Sequence, residues 1–278
     1  MKKLIFLTII YSVCINLVAY GAGMDIEFKN HGRQVKTLTI EEIEKITPKK
    51  EITVYLIGEN QKATFTGFEV NPLFDKALGS NWRTGEEVLF TCTDGYQPSV
   101  PVERFLMHKA YLVFERKNSN FQMVHEGKDT PLGPYYLVWE NVHDPVLKTV
   151  KNDLGWPWSL TAVDIIDFKE RFPNVAPAKN ASLKVKNGFR AFQTNCSQCH
   201  SVNGQGGGGM GPELNYPVSA TEYWHEKWLK KWMLDPQSIR FDAKMPPLDR
   251  SLEDRAQVAS EIYEYLKHMA KHKKAPKK

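Results

Sequence analysis

One five-residue stretch constrains this chain more than any other: Cys196-Ser197-Gln198-Cys199-His200. It reads C-x-x-C-H, the spacing of covalent c-type haem attachment. Two thiols three residues apart lie on one helical turn and can add to the two vinyl groups of one porphyrin. The next side chain, His200, can then offer an imidazole nitrogen to the iron. The competing readings are a chance C-x-x-C, a zinc half-site or a thioredoxin-like redox pair. A zinc site wants a second pair of Cys or His at ligand spacing, and none follows.

The rest of the chain supplies a context for that motif. Its 278 residues suit about two domains. Hydrophobic residues make up 42% and charged residues 25%, the composition of globular protein that can bury real cores. The formal charge of +5 is unevenly placed. Lys2 and Lys3 open the chain, and Lys267, Lys271, Lys273, Lys274, Lys277 and Lys278 crowd its end; without these eight the charge is −3. The basic tail is read as a solvated, frayed end, with peripheral contact to an acidic partner or anionic lipid as the other reading. A nucleic-acid partner is not expected.

Residues 1–22 have the pattern of a secretory signal peptide. A basic Met1-Lys2-Lys3 leads into an apolar run from Leu4 to Val18, and Ala19-Tyr20-Gly21 places small residues at a cleavage site. The run is short for a membrane span, and no other long apolar run follows, so the mature protein is expected to be free of transmembrane spans and periplasmic. The alternative is a retained N-terminal anchor. There is no twin-arginine pair, which implies export in the unfolded state. Of the four cysteines, Cys14 leaves with the signal and two belong to the motif. Cys92 remains as an odd thiol.

Residues 24–170 read as a β-rich α+β module. Asp25–Phe28 and Gln34–Leu38 alternate like strands, and Thr39 with Glu42 makes a capping box for a short helix with Ile40, Ile43 and Ile46 on one face. Further strands are expected over residues 52–57, 63–70, 87–92, 110–115, 134–139 and 163–168. Asn71 is expected to cap a helix with Pro72 at its first position and Gly79 just past its end. Residues 171–180, with two prolines, read as a linker.

Thr93-Asp94-Gly95-Tyr96, Val100-Pro101, Phe105-Leu106 and Gly133-Pro134-Tyr135-Tyr136-Leu137-Val138 together resemble the small molybdopterin-binding, sulfite-oxidase-type fold over about residues 50 to 168. The resemblance implies a fold before it implies a cofactor. It would make Cys92 a molybdenum-ligating thiolate; the plainer reading is a buried strand cysteine. A pyranopterin phosphate needs clustered Arg or Lys and Gly-rich backbone donors, and the stretch around Cys92 offers only Arg83 and Arg104. In that family the cofactor is inserted before folded export, which conflicts with unfolded export here. A molybdenum cofactor is therefore not expected.

From Gly188 to His268 the chain resembles the monohaem class I cytochrome c domain, within a helical unit at 181–272 that precedes the basic tail 273–278. A first helix with Gly188-Phe189, C-x-x-C-H, Gly211-Pro212-Glu213-Leu214, a middle helix, Met245-Pro246-Pro247-Leu248 and a closing aromatic helix appear in the family's order. The resemblance implies one covalent haem c on Cys196 and Cys199, with the Pro212 carbonyl accepting from the His200 ring. Met245 is the candidate distal ligand, because a thioether opposite an imidazole favours ferrous iron and the prolines after it restrict the loop. Met210 competes, but lies close to the His200 side. Trp224, Trp228, Leu229 and Trp232 are spaced as a helical stripe. His225 and His268 are the next histidine candidates for the iron.

The expectation is thus an α+β domain followed by an all-α class I cytochrome c domain, acting as an exported electron carrier with a partner oxidoreductase. One alternative is a haem–molybdenum enzyme of sulfite-oxidase type using Cys92. A second is a haem-based sensor or assembly subunit.

Overall fold

The computed structural model describes residues 24–276 apart from 126, 149–154, 208, 251 and 253. The expected signal segment 1–22, Cys14 within it, Lys277 and Lys278 lie outside the described residues.

The first half opens on a hairpin, β1 (Ile26–Asn30) and β2 (Arg33–Leu38). The Thr39/Glu42 capping box then starts α1 (Ile40–Ile46), each side chain accepting from the other's backbone N–H. β3 (Lys50–Leu56) and β4 (Gln61–Glu69) follow, and β4 runs directly into α2 (Val70–Leu78). This helix begins two residues before its expected start. Glu69 holds the cap position without a side-chain bond to the helix N–H groups, its carboxylate pairing with Lys50 at 2.9 Å instead. Asn71 instead donates through Nδ2 to the Phe105 carbonyl at 2.9 Å. Pro72 is third in the helix, still within the first turn where its missing N–H costs nothing.

Then come β5 (Glu87–Cys92), β6 (Ser99–Pro101), α3 (Val102–Met107), β7 (Ala110–Arg116), β8 (Gln122–His125), β9 (Lys128–Pro131), β10 (Tyr136–Trp139), β11 (Leu160–Ile166) and α4 (Phe168–Arg171). The β8–β9 hairpin was not anticipated, because it is largely exposed and carries no apolar alternation.

The strands form a five-stranded sheet, β2-β1-β11-β5-β6, and a four-stranded antiparallel sheet, β10-β7-β4-β3. Only β1 and β11 pair in parallel among these neighbours. An apolar core between the sheets and α2 holds Phe28, Phe74, Phe90, Phe105 and Trp139. A second cluster covers the far face of the four-stranded sheet. Hence all four residues of β10 are buried: Leu137 and Trp139 face one cluster, Tyr136 and Val138 the other. The first half is α+β.

The five-stranded sheet is also used on both faces. Along β5, Val88 and Phe90 point into the first core, and Leu89 points the other way, as two-residue alternation requires. Leu89, Ile166 and Phe168 pack there with Phe189, Phe192 and Tyr265 of the helical half. The Phe168 and Phe189 rings meet edge-on at 6.1 Å. Full burial of such a ring is worth about 1.5–3 kcal/mol, so this shared cluster joins the halves firmly.

Residues 171–180 have no regular structure beyond Arg171 and run against the helical half. Val175 is fully buried, and its carbonyl accepts from the Tyr265 hydroxyl at 2.7 Å. The helical half consists of α5 (Leu183–Asn195), α6 (Ala220–Tyr223), α7 (Glu226–Leu234) and α8 (Arg255–Met269). α5 and α8 cross at Gly188, where a Cβ would overlap the Glu261 carbonyl of α8.

The expected tryptophan stripe is broken. Trp224 closes α6, and His225 in an extended conformation caps α7. Trp224 therefore reaches Trp232 from a separate element, with ring centroids 5.6 Å apart, and Trp228 is left exposed. The basic tail is tied down as far as it is described: Lys273 pairs with Glu222 at 2.5 Å, and the Lys274 N–H donates to Asn203 Oδ1 at 3.0 Å. Among the described residues no helix is long and apolar enough to cross a membrane.

Candidate haem site

α5 delivers the motif. Its Ser182 cap accepts from the Val185 N–H, and the helix ends at Cys196. One further turn follows: the Cys199 and His200 N–H groups donate to the Cys196 carbonyl at 3.1 and 2.9 Å. Cys196 is buried, Cys199 half-buried, and neither is in a disulfide. Burial pushes the Cys196 thiol up to about 12. Burial also raises Cys199, with the charge of Asp94 adding to it.

His200 is buried, with Nδ1 2.8 Å from the Pro212 carbonyl. A carbonyl oxygen only accepts, so Nδ1 carries the proton and Nε2 keeps its lone pair. Burial holds His200 below its ordinary value, against the Pro212 bond and the Glu213 charge, which favour protonation. A neutral imidazole with Nε2 free is the form a metal takes.

The loop after the motif folds back on it. The Gly207 N–H donates to the Ser197 carbonyl at 2.7 Å and the Gly211 N–H to the Cys199 carbonyl at 2.9 Å. Two glycines are sterically required. At Gly207, with φ of +58°, a Cβ would stand 2.5 Å from the His200 carbonyl carbon. At Gly211 it would stand 2.5 Å from His200 Cε1. The close approach these glycines permit is therefore to His200 itself, its backbone and its ring.

Glu213 holds that loop, and nothing in its sequence context singled it out. Its carboxylate accepts from the N–H groups of Asn203, Gly204, Asn215 and Tyr216 and from the Ser201 hydroxyl, all at 2.8–3.0 Å. Burial pushes this carboxyl up, but those bonds together hold it below its ordinary 4.5. A depressed carboxyl stabilises the fold above its unfolded pKa and loses that contribution as pH falls through its folded value. Glu213→Gln is expected to cost about 2 kcal/mol at pH 7. The gap should narrow below pH 4.5 and close once the native carboxyl is protonated. Denaturant unfolding at pH 7 and in acid measures this; equal midpoints at pH 7 would remove the carboxylate from the loop's support.

Cys196, Cys199, His200, Pro212 and Met245 all line one largely apolar cavity of about 370 Å³. Its other walls come from α7, through Leu229, Trp232 and Met233, and from α8, through Ile262 and Leu266. The donors and the shape suit a haem: two thiols, one imidazole with a free nitrogen, one thioether and an apolar slot whose His200 wall only glycine permits. Met245 lies on an irregular segment pinned at both sides. The Leu248 N–H donates to the Met233 carbonyl at 2.9 Å. Arg255 donates to the Leu234 and Leu248 carbonyls at 2.7 and 2.8 Å. The Trp232 indole N–H donates to Met245 Sδ at 2.8 Å.

The other candidates lie elsewhere. Met210 reaches the cavity from beside Gly211, on the loop packed against His200, and is 55% exposed. Met233 and Met269 are buried core residues. His225 caps α7, and His268 stacks on His272 with its Nε2 accepting from the Ala178 N–H. Arg240 is exposed.

Cys92 sits in the first core, not on a surface. Burial, with Asp94 adding, pushes its thiol up to about 12. Arg83 forks onto Asp75, with Nη2–Oδ2 at 2.9 Å. The Asp94-Gly95-Tyr96 turn reaches the haem motif across the junction. The Tyr96 hydroxyl donates to Gln198 Oε1, and the Gln97 N–H to the Gln198 carbonyl at 3.2 Å. Sequence reasoning had no signal for this contact, which joins residues about a hundred positions apart.

The Cytochrome c family model matches residues 185–270, from the first turns of α5 to the residue after α8. No curated protein matches the chain. The match supports a haem c electron-transfer protein, with the haem held covalently.

Proposed function

We propose that this protein is an exported monohaem c-type cytochrome that passes single electrons to or from a partner oxidoreductase, with His200 and Met245 as axial ligands. The observation that carries the reading is the shared cavity: both attachment cysteines, an imidazole whose Nε2 is left free by the Pro212 bond, and a thioether on a pinned loop. Met245 is preferred over Met210, since Met210 belongs to the His200 side of the cavity. When bound, the haem supplies reversible one-electron chemistry. The protein's part is to fix both axial side chains and keep water from the slot. His200 keeps its proton on Nδ1 in both oxidation states, because the Pro212 carbonyl has no other donor to it from the ring. Filled axial positions suit electron transfer and leave no vacant site for substrate chemistry.

The first half is proposed to be a cofactor-free relative of the sulfite-oxidase-type fold that orients the cytochrome half. Its Tyr96 turn lies against the attachment motif, and its Cys92 thiol is held neutral in an apolar core. A thiolate is what molybdenum would need. Residues 1–22 are proposed as the export signal. Protein purified from the exported fraction should contain one iron and one covalent haem per chain, with a sharp low-spin reduced spectrum. Stoichiometric molybdenum would overturn the carrier reading in favour of the enzyme. Carbon monoxide binding by unmutated ferrous protein at neutral pH would favour a sensor.

A further inference from the structure

We propose that the Asp94–Gln97 turn of the first half is a fixed cover over the Cys199 edge of the haem, closing that edge to water and to redox partners; the inference rests on the haem being attached through Cys199. The Tyr96 hydroxyl donates to Gln198 Oε1, and the Gln97 N–H to the Gln198 carbonyl at 3.2 Å. Gln198 stands directly before Cys199 and is also held from its own helix, its Nε2 donating to the Thr194 carbonyl at 3.0 Å. A side chain and a backbone group of the first half thus lie on the motif beside the second attachment thiol.

The turn is braced from within. The Gly95 N–H donates to the Cys92 carbonyl at 3.0 Å, the Cys92 N–H to the Tyr96 carbonyl at 2.9 Å, and the Tyr96 N–H to Asp94 Oδ1 at 3.0 Å. Gly95 has φ of +87°, a conformation that suits glycine. The Tyr96 ring packs against the first core, and Leu89, Ile166 and Phe168 lock the halves together through their shared cluster. A lid opens by turning a few backbone torsions. Here an opening motion would break the bonds on both sides of Tyr96 and the shared cluster together. The other rim of the cavity differs: Met210, Tyr223 and Lys244 line it and are exposed. Electron exchange is therefore left to that rim. Closing one edge also acts on the iron. Ferric haem carries one more positive charge than ferrous haem, and water stabilises that charge. Keeping water from an edge favours the ferrous state, burial being one of the levers on a haem potential.

The test is stopped-flow reduction of the full-length ferric holoprotein by hexaammineruthenium(II), with Tyr96→Ala and Tyr96→Phe beside the unmutated chain. In the step ruthenium(II) becomes ruthenium(III) and iron(III) becomes iron(II); one electron passes and no bond forms or breaks. Tyr96→Ala removes the ring and should react about tenfold faster, the low end of the range over which changes at one interface move association rates. Its equilibrium should also move about threefold toward ferric, a drop of ~30 mV at 59 mV per tenfold for one electron. Tyr96→Phe keeps the ring and should match the unmutated protein in both. A merely structural contact would lower the unfolding midpoint and move neither quantity. Equal rates and potentials in all three proteins overturn the cover, and a phenylalanine variant as fast as the alanine one overturns closure by the ring. Unmutated exported protein without a thioether at Cys199 fails the haem reading itself. If Tyr96→Ala does not hold haem, hydroxyl-radical footprinting of the unmutated holoprotein decides: protection of Tyr96 beside oxidation of exposed Tyr223 supports the cover, and equal oxidation of the two overturns it.

Discussion

Met245→Ala is expected to leave the ferrous iron high spin, open it to carbon monoxide and lower its potential, with the haem still attached through Cys196 and Cys199. The substitution removes the sulfur and leaves the attachment turn and the His200–Pro212 bond untouched. It also leaves the loop's anchors, since Leu248 bonds Met233 and Arg255 bonds Leu234 and Leu248 through backbone carbonyls. Axial ligands spread haem potentials over about 0.8 V, so a fall on the order of 0.1–0.3 V is expected, well beyond the effect of one hydrogen bond to the ligand. Met210→Ala is the matched control, because Met210 also lines the cavity. It should change neither spectrum nor potential. The reverse pattern would exchange the two methionines, and an unchanged spectrum in Met245→Ala would remove Met245 from the ligand set.

The second large effect is expected at Gly188. In an isolated helix, Gly→Ala stabilises by about 1 kcal/mol. Here the sign reverses. The new methyl would overlap the backbone carbonyl of Glu261 and stand 2.9 Å from Tyr265 Cβ, and neither backbone can turn aside as a flexible side chain would. α5 and α8 would have to separate, opening the cluster that includes Phe189, Phe192 and Tyr265. A cost of about 3 kcal/mol is expected from overpacking of this kind. For a domain of this size that lowers the midpoint of thermal unfolding by roughly 10–20 °C. Circular dichroism of the holoprotein during heating reads this directly. A midpoint that rises would mean that the helices do not cross at Gly188. The same separation would shift the motif at the end of α5, so the variant should also show weaker retention of its reduced low-spin spectrum.

Much of the local structure was legible because its causes are local. The Thr39/Glu42 box, the strand alternation of β3 and β4 and the cap-to-motif run of α5 depend on residues within a few positions of one another. The failures were of two kinds. At Asn71, the expected capping side chain lies inside the helix, its Nδ2 donating to the Phe105 carbonyl, and the helix takes its start from the end of β4 instead. At Trp224, a spacing of four residues suggested one helix, but the Ser219/Glu222 capping box belonged to a separate short helix that ends there. At Trp224 a capping box, not the apolar period, set the boundary.

The candidate site divides in the same way. The C-x-x-C-H spacing and the Met-Pro-Pro loop stand in the sequence, since attachment chemistry needs its residues at set intervals. What supports them does not. Glu213 bonds five groups spread over residues 201–216, which is a property of a closed loop and not of any one residue type in it. The Trp232 N–H meets Met245 only because α7 and the pinned loop are brought to the same cavity.

By itself the sequence determined that a covalent haem site follows a helix, that two chemically different halves precede and contain it, and that Cys92 stands without a cysteine partner. Covalent geometry and short-range periodicity are enough for those statements. Only the tertiary structure decided that the halves share a core through Leu89, Ile166 and Phe168, that Tyr96 rests on the haem motif, and that an indole addresses the candidate ligand sulfur. Each of these depends on which face of a sheet or helix is left over after its own core is filled, and that is settled by packing across the chain rather than by spacing along it.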